Sequence, residues 1–287
     1  MSRRHRGPAM FNYPIIDPVA ISLGPLNIHW YAISYLLGFF ICWRIMLSMS
    51  PMQRQPWTRD ALWDLISYGV FGVILGGRMG YVLFYGFDQF LNDPLSLLRI
   101  WQGGMSFHGG LLGVIAALAL YARRHGRRFL EVTDFVAPGA PLALGLGRIG
   151  NFINAELPGR ITDVPWALIY PGDVVGRHPS SLYQMCLEGP VLFGLVYLIA
   201  RQGRGLGFNS GAFLVLYAAF RFTTEFFRAP DPHMGFVALG WMTQGQALCV
   251  PMIILGLYLM LRAQSQVNAD AGAIAAVQKR SRKRKTK

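Results

Sequence analysis

Seven apolar runs, each close to the length that crosses a bilayer as a helix, constrain this chain more than any other feature. They occupy 28–49, 61–87, 105–122, 135–153, 183–200, 211–227 and 236–261, and a transmembrane helix needs about 20 such residues. Composition agrees: 53% of residues are hydrophobic, 14% are charged and mean hydropathy is +0.35, far from the roughly 25% charge of a soluble domain. No polar stretch is long enough for a separate soluble domain, and no internal repeat is evident. The expected class is an all-α integral membrane protein with about seven transmembrane helices. Cys42, Cys186 and Cys249 are odd in number and lie inside apolar runs, so they read as small buried hydrophobes; no disulfide framework or zinc site is expected.

An odd number of crossings puts the termini on opposite sides, and basic residues then set the orientation. Sixteen arginines and lysines fall on one side, in the loops with Arg54/Arg59, Arg123–Arg128 and Arg201/Arg204 and in the tail from Arg262; Arg99, Arg160 and Arg177 fall on the other. The positive-inside rule makes the carboxyl terminus cytoplasmic and places the amino terminus outside. Arg3, Arg4 and Arg6 oppose this, and Met10 offers a less basic start, so 1–9 reads as a translational extension. The net charge of +13 is concentrated in loops and tail, which favours anionic membrane lipid over nucleic acid as a partner. The expected organisation is an extension at 1–16, a membrane part at 17–262 with a small cap at 155–182, and a basic, unstructured tail at 263–287.

With this orientation, the polar residues of six spans collect near the outer face. They include His29, Tyr31, Arg78, His108, Arg148, Asn151, Asn154, Tyr183, Gln184, Glu188, Arg221, Glu225 and Arg228. An arginine within a span costs roughly 2.5–3.5 kcal/mol on insertion scales. Snorkelling explains cations at span ends, Arg228 among them, but Arg148 and Arg221 have apolar sequence on both sides. A shared polar cavity in the outer leaflet is the reading that accounts for both. The densest segment is 147–160, Gly-Arg-Ile-Gly-Asn-Phe-Ile-Asn-Ala-Glu-Leu-Pro-Gly-Arg. Arg221, Glu225 and Arg228 stand at i, i+4, i+7, with Tyr217 at i−4, so a helix carries them on one face. Glu225 neutralises one arginine, which leaves net positive charge for an anion such as a phosphodiester; a self-contained salt-bridge ladder is the alternative.

Gly72, Gly76 and Gly80 form a close-packing ladder. Gly145, Gly147 and Gly150 match the dinucleotide fingerprint but follow a membrane span instead of a strand, so the match is rejected; these glycines are expected to open the helix surface beside Arg148. His108 lies between Gly103-Gly104 and Gly109-Gly110 at the start of a span. Its imidazole can accept a proton at neutral pH or simply bond a neighbouring loop. Ser106 with His108 does not make a serine hydrolase, because no G-x-S-x-G elbow is present. The loop 155–182, with four prolines, is expected to hold a hairpin over the cavity.

Five stretches together resemble the bacterial prolipoprotein diacylglyceryl transferase family over about 17–261: Ser22-Leu23-Gly24-Pro25 with His29-Trp30-Tyr31; Gly76-Gly77-Arg78-Met79-Gly80-Tyr81; Gly103-Gly104-Met105-Ser106-Phe107-His108-Gly109-Gly110; 147–160; and Arg221-Phe222 with Glu225-Phe226-Phe227-Arg228. The resemblance implies an enzyme of the bacterial cytoplasmic (inner) membrane, its site facing the periplasm. The enzyme would move the diacylglyceryl group of phosphatidylglycerol to the lipobox cysteine thiol of a prolipoprotein signal peptide, forming a thioether and releasing glycerol phosphate. It further implies that Arg148 binds phosphatidylglycerol, that Arg221 is a second essential arginine, and that Tyr31, His108, Asn151, Glu156 and Gly159 complete the site. Asn154, Tyr217, Glu225 and Arg228 are expected beside the lipid. Fixed guanidinium groups suit the charge that grows on a phosphate leaving group. The thiol proton can go to His108, or the cationic field can favour the thiolate without it. No metal or cofactor is needed for this chemistry. A lipid or anion transporter would also place arginines in a membrane cavity, but with paired interrupted helices or repeated halves and polar groups at mid-depth; a non-catalytic lipid-binding subunit would need the arginines but not His108.

Overall fold

A computed structural model describes residues 11–24, 26–53, 55–230 and 234–285. The elements run β1 (Phe11–Asn12), β2 (Val19–Leu23), β3 (Leu26–His29), α1 (Trp30–Met49), α2 (Arg59–Phe84), α3 (Phe87–Asn92), α4 (Phe107–Arg124), α5 (Phe129–Val136), α6 (Ala140–Ile153), β4 (Leu168–Ile169), β5 (Gly176–Arg177), α7 (Ser180–Cys186), α8 (Leu192–Ala200), α9 (Phe208–Thr224) and α10 (Gln244–Lys285). The protein is mostly helical. Among the described residues, four helical segments are long and apolar enough to cross a membrane, 30–52, 59–84, 180–200 and 244–268, and α5 with α6 makes a fifth if that interrupted pair is one crossing. Four or five of the seven expected spans thus meet the length and composition of a crossing. Helix α9 has 17 residues, about 25 Å at 1.5 Å per residue, short of a 30 Å hydrocarbon core. Helix α4 has two arginines in its last turn and a histidine in its first, which dilutes its apolar character.

Several expectations are corrected. The start of the first span is a β-hairpin, β2 against β3, with Gly24 at φ +60° in its turn, and the helix begins only at Trp30. The fourth span divides at 137–139, where Ala-Pro-Gly interrupts it. Helix α10 continues in helical backbone to Lys285, where composition led us to expect an irregular tail; 269–278 is rich in alanine, a strong helix former. Cys42 and Cys249 are buried, but Cys186 is exposed on the outward side of α7. Arg3, Arg4, Arg6, Met10, Pro25, Arg54 and Lys287 lie outside the described residues.

The chain forms two compact units, one of residues 43–136 and the other of the remainder. In the 43–136 unit, α2 and α4 meet through glycines, as the ladder predicts. A methyl group added at Gly80 would lie 2.7 Å from Gly109 Cα, and one at Gly72 would lie 2.8 Å from Ala117 Cβ. Backbones this close leave no room for a larger residue. Gly76→Ala is expected to cost about 1–3 kcal/mol through overpacking, read as a lower thermal midpoint of the detergent-solubilised protein. At the end of this unit that carries Arg127, Trp57 stacks on Phe135 at 4.6 Å between centroids, Arg127 lies 3.8 Å above the Trp57 ring, and the buried Tyr121 hydroxyl donates to Ala61 O at 3.0 Å.

Arg78 belongs to this unit and is buried. Its guanidinium donates to Leu97 O and Gly104 O at 3.0 Å each and also to Ser96 O and Gly103 O. The cation is thus matched by four carbonyls of the 96–104 loop. It staples that loop and is not a free member of a polar layer.

In the other unit, α6 packs on α1 and α7 through small residues. A methyl at Gly139 would fall 3.2 Å from Cys42 Cα, one at Gly145 2.8 Å from Gly189 Cα, and one at Gly150 2.5 Å from the Tyr31 ring. Gly145 and Gly150 are therefore contact glycines, and only Gly147 faces open space, which corrects the expectation that all three expose the helix surface. Helices α9 and α10 close on one another at Gly211 and Gly256 in the same way.

Candidate functional site: a buried arginine–carboxylate network

The site begins with a break in a helix. Between α7 and α8, residues 187–191 form a π turn with Gly189 at φ −95°, ψ −106°. Pro190 has no N–H and its ring clashes with the preceding turn, so the i→i−4 ladder cannot continue. Just before the break, Glu188 continues the buried face of Ser180 and Gln184 and is 0% exposed. Arg148 Nε, from α6, donates to Glu188 Oε2 at 3.0 Å. Arg221 Nη1, from α9, lies 3.8 Å from Glu188 Oε1 and makes no hydrogen bond. Two guanidinium groups from different helices thus share one buried carboxylate.

Each arginine has a second set of partners. Arg148 Nη1 donates to Asn151 Oδ1 at 3.4 Å, and Asn151 Nδ2 donates to Glu156 Oε2 at 2.7 Å. Asn154 Nδ2 donates to Glu156 Oε1 at 3.1 Å. Asn151 is one turn after Arg148 on α6, but Glu156 lies beyond the helix end. The chain brings it back through left-handed conformations at Ala155 (φ +53°) and Leu157 (φ +56°), which non-glycine residues adopt at a cost of about 1–2 kcal/mol each. Tyr31 from α1 rests on Gly150, and Tyr217 from α9 is close enough to both arginines and Glu188 to interact with them electrostatically.

Arg221 Nη2 pairs with Glu225 Oε2 at 2.9 Å, and Arg228 Nη1 donates to Glu225 Oε1 at 3.2 Å. The i, i+4 pairing holds as the spacing requires. Arg228 is not on the helix, however, since α9 ends at Thr224; it is reached through a turn and bridges to Gly159. Side-chain exposures of 19% for Arg148, 13% for Arg221 and 10% for Arg228 rule out arginines that extend freely to headgroups.

Gly159 explains how these helices are held in register. Its N–H donates to His178 O at 3.1 Å, Arg160 N–H donates to Phe227 O at 2.8 Å, and Ala229 N–H donates to Pro158 O at 3.2 Å. A methyl at Gly159 would lie 2.7 Å from His178 Cβ and 2.8 Å from Phe227 O, so no other residue fits. The end of 147–160 is thereby clamped between the segment entering α7 and the segment leaving α9. Strands β4 and β5 form the expected hairpin in 155–182, and β1 joins it in parallel; part of the expected amino-terminal extension thus belongs to this small sheet. Burial holds the His178 imidazole below its ordinary pKa, and its Nδ1 sits 3.1 Å from the Tyr183 hydroxyl. Arg177 beside Asp173 holds that exposed carboxyl low.

The network brings together Tyr31, Arg148, Asn151, Asn154, Glu156, Gly159, Tyr217, Arg221, Glu225 and Arg228. It includes Glu188 as the central partner, a role that sequence reasoning missed although the residue was counted among the polar ones. Arg148, Arg221 and Arg228 share two buried carboxylates, Glu188 and Glu225, so the expected net positive charge stands; Glu156 is exposed and bonds only Asn151 and Asn154. Arg221 Nη1 keeps unfilled hydrogen-bonding capacity. His108 lies in the 43–136 unit. There it is exposed in the first turn of α4, which Ser106 caps by accepting from Gly109 N–H at 3.2 Å. It makes no hydrogen bond among the described residues, so no loop contact accounts for it.

The protein is thus a helical membrane protein in which three arginines pair with two buried carboxylates. The chain belongs to the prolipoprotein diacylglyceryl transferase family, whose model matches residues 18–262. It is similar to the phosphatidylglycerol–prolipoprotein diacylglyceryl transferase of Chromohalobacter salexigens, 53% identical over 268 residues that cover 93% of this chain and 100% of that protein. The enzymes of the same name from Pseudomonas aeruginosa and Coxiella burnetii are 50% and 51% identical, over 88% and 86% of this chain and 96% and 95% of their own lengths.

Proposed function

We propose that the Arg148–Glu188–Arg221 network is the phosphate site of a phosphatidylglycerol–prolipoprotein diacylglyceryl transferase. The chain carries out the first step of bacterial lipoprotein maturation, moving the diacylglyceryl group of phosphatidylglycerol to a prolipoprotein. The observation that carries the site assignment is the shared buried carboxylate, which aims two guanidinium groups at one point and leaves Arg221 Nη1 without a hydrogen bond. In the reaction, the sulfur of the lipobox cysteine forms a bond to the glyceryl carbon that bears the phosphate. The carbon–oxygen bond breaks, and its electron pair leaves on glycerol phosphate. Charge grows on the phosphate as it departs, and preorganised donors in a dry site stabilise that growth. Arg148 and Arg221 supply those donors; Tyr31, Asn151, Glu156 and Tyr217 orient them. The thiol proton is assigned to His108 on the family resemblance, with its imidazole exposed at the start of α4. Purified protein incubated with labelled phosphatidylglycerol and a lipobox peptide tests the activity: absence of label on the cysteine would overturn it.

The same reading gives 17–262 seven crossings of the inner membrane, with α4, the α5–α6 pair and α9 supplying the shorter three. The amino terminus and the 155–182 cap face the periplasm, and the tail faces the cytoplasm and its anionic lipid. The uneven distribution of basic residues supports this. A cysteine introduced at Asp173 is expected to react with an impermeant maleimide in intact spheroplasts, and one at His125 only after permeabilisation; the reverse pattern would overturn the orientation.

A further inference from the structure

Along α7 and the turn that follows it, one face is closed off from solvent and lipid. Ser180, Ser181, Gln184 and Glu188 are each 0% exposed. Two ends of this buried polar row have partners. Ser180 Oγ donates to Leu157 O at 2.7 Å, which ties it to the return segment after α6, and Glu188 bonds Arg148. Gln184 stands between them and differs from both, because neither its amide nitrogen nor its amide oxygen has a hydrogen-bond partner. Burying a carboxamide with neither end satisfied costs on the order of 1–3 kcal/mol for each group. Leucine would fill the same volume without that cost. A polar side chain kept there at such expense has a partner that arrives with a ligand.

The position says which part of the ligand. Gln184 precedes Glu188 by one helical turn, roughly 5–6 Å between Cβ atoms on a shared face. If the phosphate sits on Arg148 and Arg221 beside Glu188, a substituent of a few atoms on that phosphate reaches the level of Gln184. The chemistry of the side chain narrows the choice. A carboxamide offers donors and acceptors with no charge, which complements hydroxyl groups that also donate and accept. An ammonium-bearing headgroup would instead call for a carboxylate.

We propose that Gln184 is the headgroup-selecting residue of this enzyme, its carboxamide receiving the terminal glycerol hydroxyls of the phospholipid whose phosphate Arg148 and Arg221 hold. This rests on the phosphate-site assignment above. It adds a specificity determinant outside the arginines and outside 147–160.

The test uses Gln184→Leu in the full-length, detergent-solubilised enzyme. Three results are expected together. The unliganded variant unfolds at the same or a higher temperature than the parent, because an unsatisfied buried amide is gone. Affinity for glycerol phosphate, measured by calorimetry, falls about tenfold, the scale of one lost hydrogen bond to a buried group, while affinity for methyl phosphate, which keeps the phosphate but lacks the hydroxyls, is unchanged. The KM for phosphatidylglycerol rises while that for the lipobox peptide does not. Equal losses for both phosphates would show a structural role and overturn the proposal, as would unchanged affinity for glycerol phosphate. A rise confined to the peptide KM would assign the amide to the peptide backbone and equally overturn it. If the parent binds neither phosphate, the phosphate-site assignment itself fails. Gln184→Asn, with the same amide on a shorter stem, guards against a packing artefact: it should weaken glycerol phosphate selectively as well.

Discussion

Arg148→Ala is expected to lower transfer from phosphatidylglycerol to the lipobox cysteine by at least about 10³-fold while the protein remains in the membrane fraction. Removing a single preorganised donor from developing charge costs on the order of 10²–10³ in rate. Here the same deletion strips Glu188 of its 3.0 Å hydrogen bond and Asn151 of its acceptor role. The loss should therefore exceed that of one donor. Arg148→Lys keeps the charge but not the planar fork, and its stem cannot meet Glu188 and Asn151 at once; it should recover little. The measurement is single-turnover transfer of labelled lipid to a lipobox peptide. Activity within tenfold of the parent for Arg148→Ala would remove this residue from the site.

Glu188→Ala should do its largest damage to folding. Arg148 and Arg221 would then face each other without the carboxylate they share, and breaking a buried pair by removing one partner costs about 3–5 kcal/mol. Low yield and a collapsed thermal midpoint are expected. Glu188→Gln separates this from catalysis, since the amide oxygen can still accept from Arg148 Nε while the formal charge of the network rises by one. The carboxylate is a resident competitor for the incoming phosphate. The amide variant is therefore expected to show a lower KM for phosphatidylglycerol and stronger inhibition by glycerol phosphate. A raised KM would show that the carboxylate positions the arginines more than it competes.

Local spacing made part of this legible. Arg148 and Asn151 fall one turn apart on α6, and Arg221 and Glu225 fall four residues apart on α9; both pairs form the contacts that helix geometry dictates. The glycine ladder on α2 found its partner helix for the same reason, since small residues at a fixed interval declare a close approach whatever lies opposite. What depended on distant partners was not legible. Arg78 looks like Arg148 by its apolar flanks, yet four loop carbonyls satisfy it. Glu188 reads as one more polar residue in a span until it is seen buried between two arginines from different helices. Gly159 gave no hint that it sits between His178 and Phe227.

The partners of Arg148 also set a timetable for synthesis. Glu188 follows it by 40 residues, which a ribosome takes about 2–8 s to add. For that interval α6 must enter the bilayer with an unmatched cation, at the insertion cost of roughly 2.5–3.5 kcal/mol already noted for such a residue. Its release from the insertion machinery is best delayed until α7 and its broken turn arrive, and the last clamp, at Phe227 and Ala229, closes later still. The network proposed to hold a lipid phosphate is thus also one whose charges are matched only when segments 40 or more residues apart have both been made.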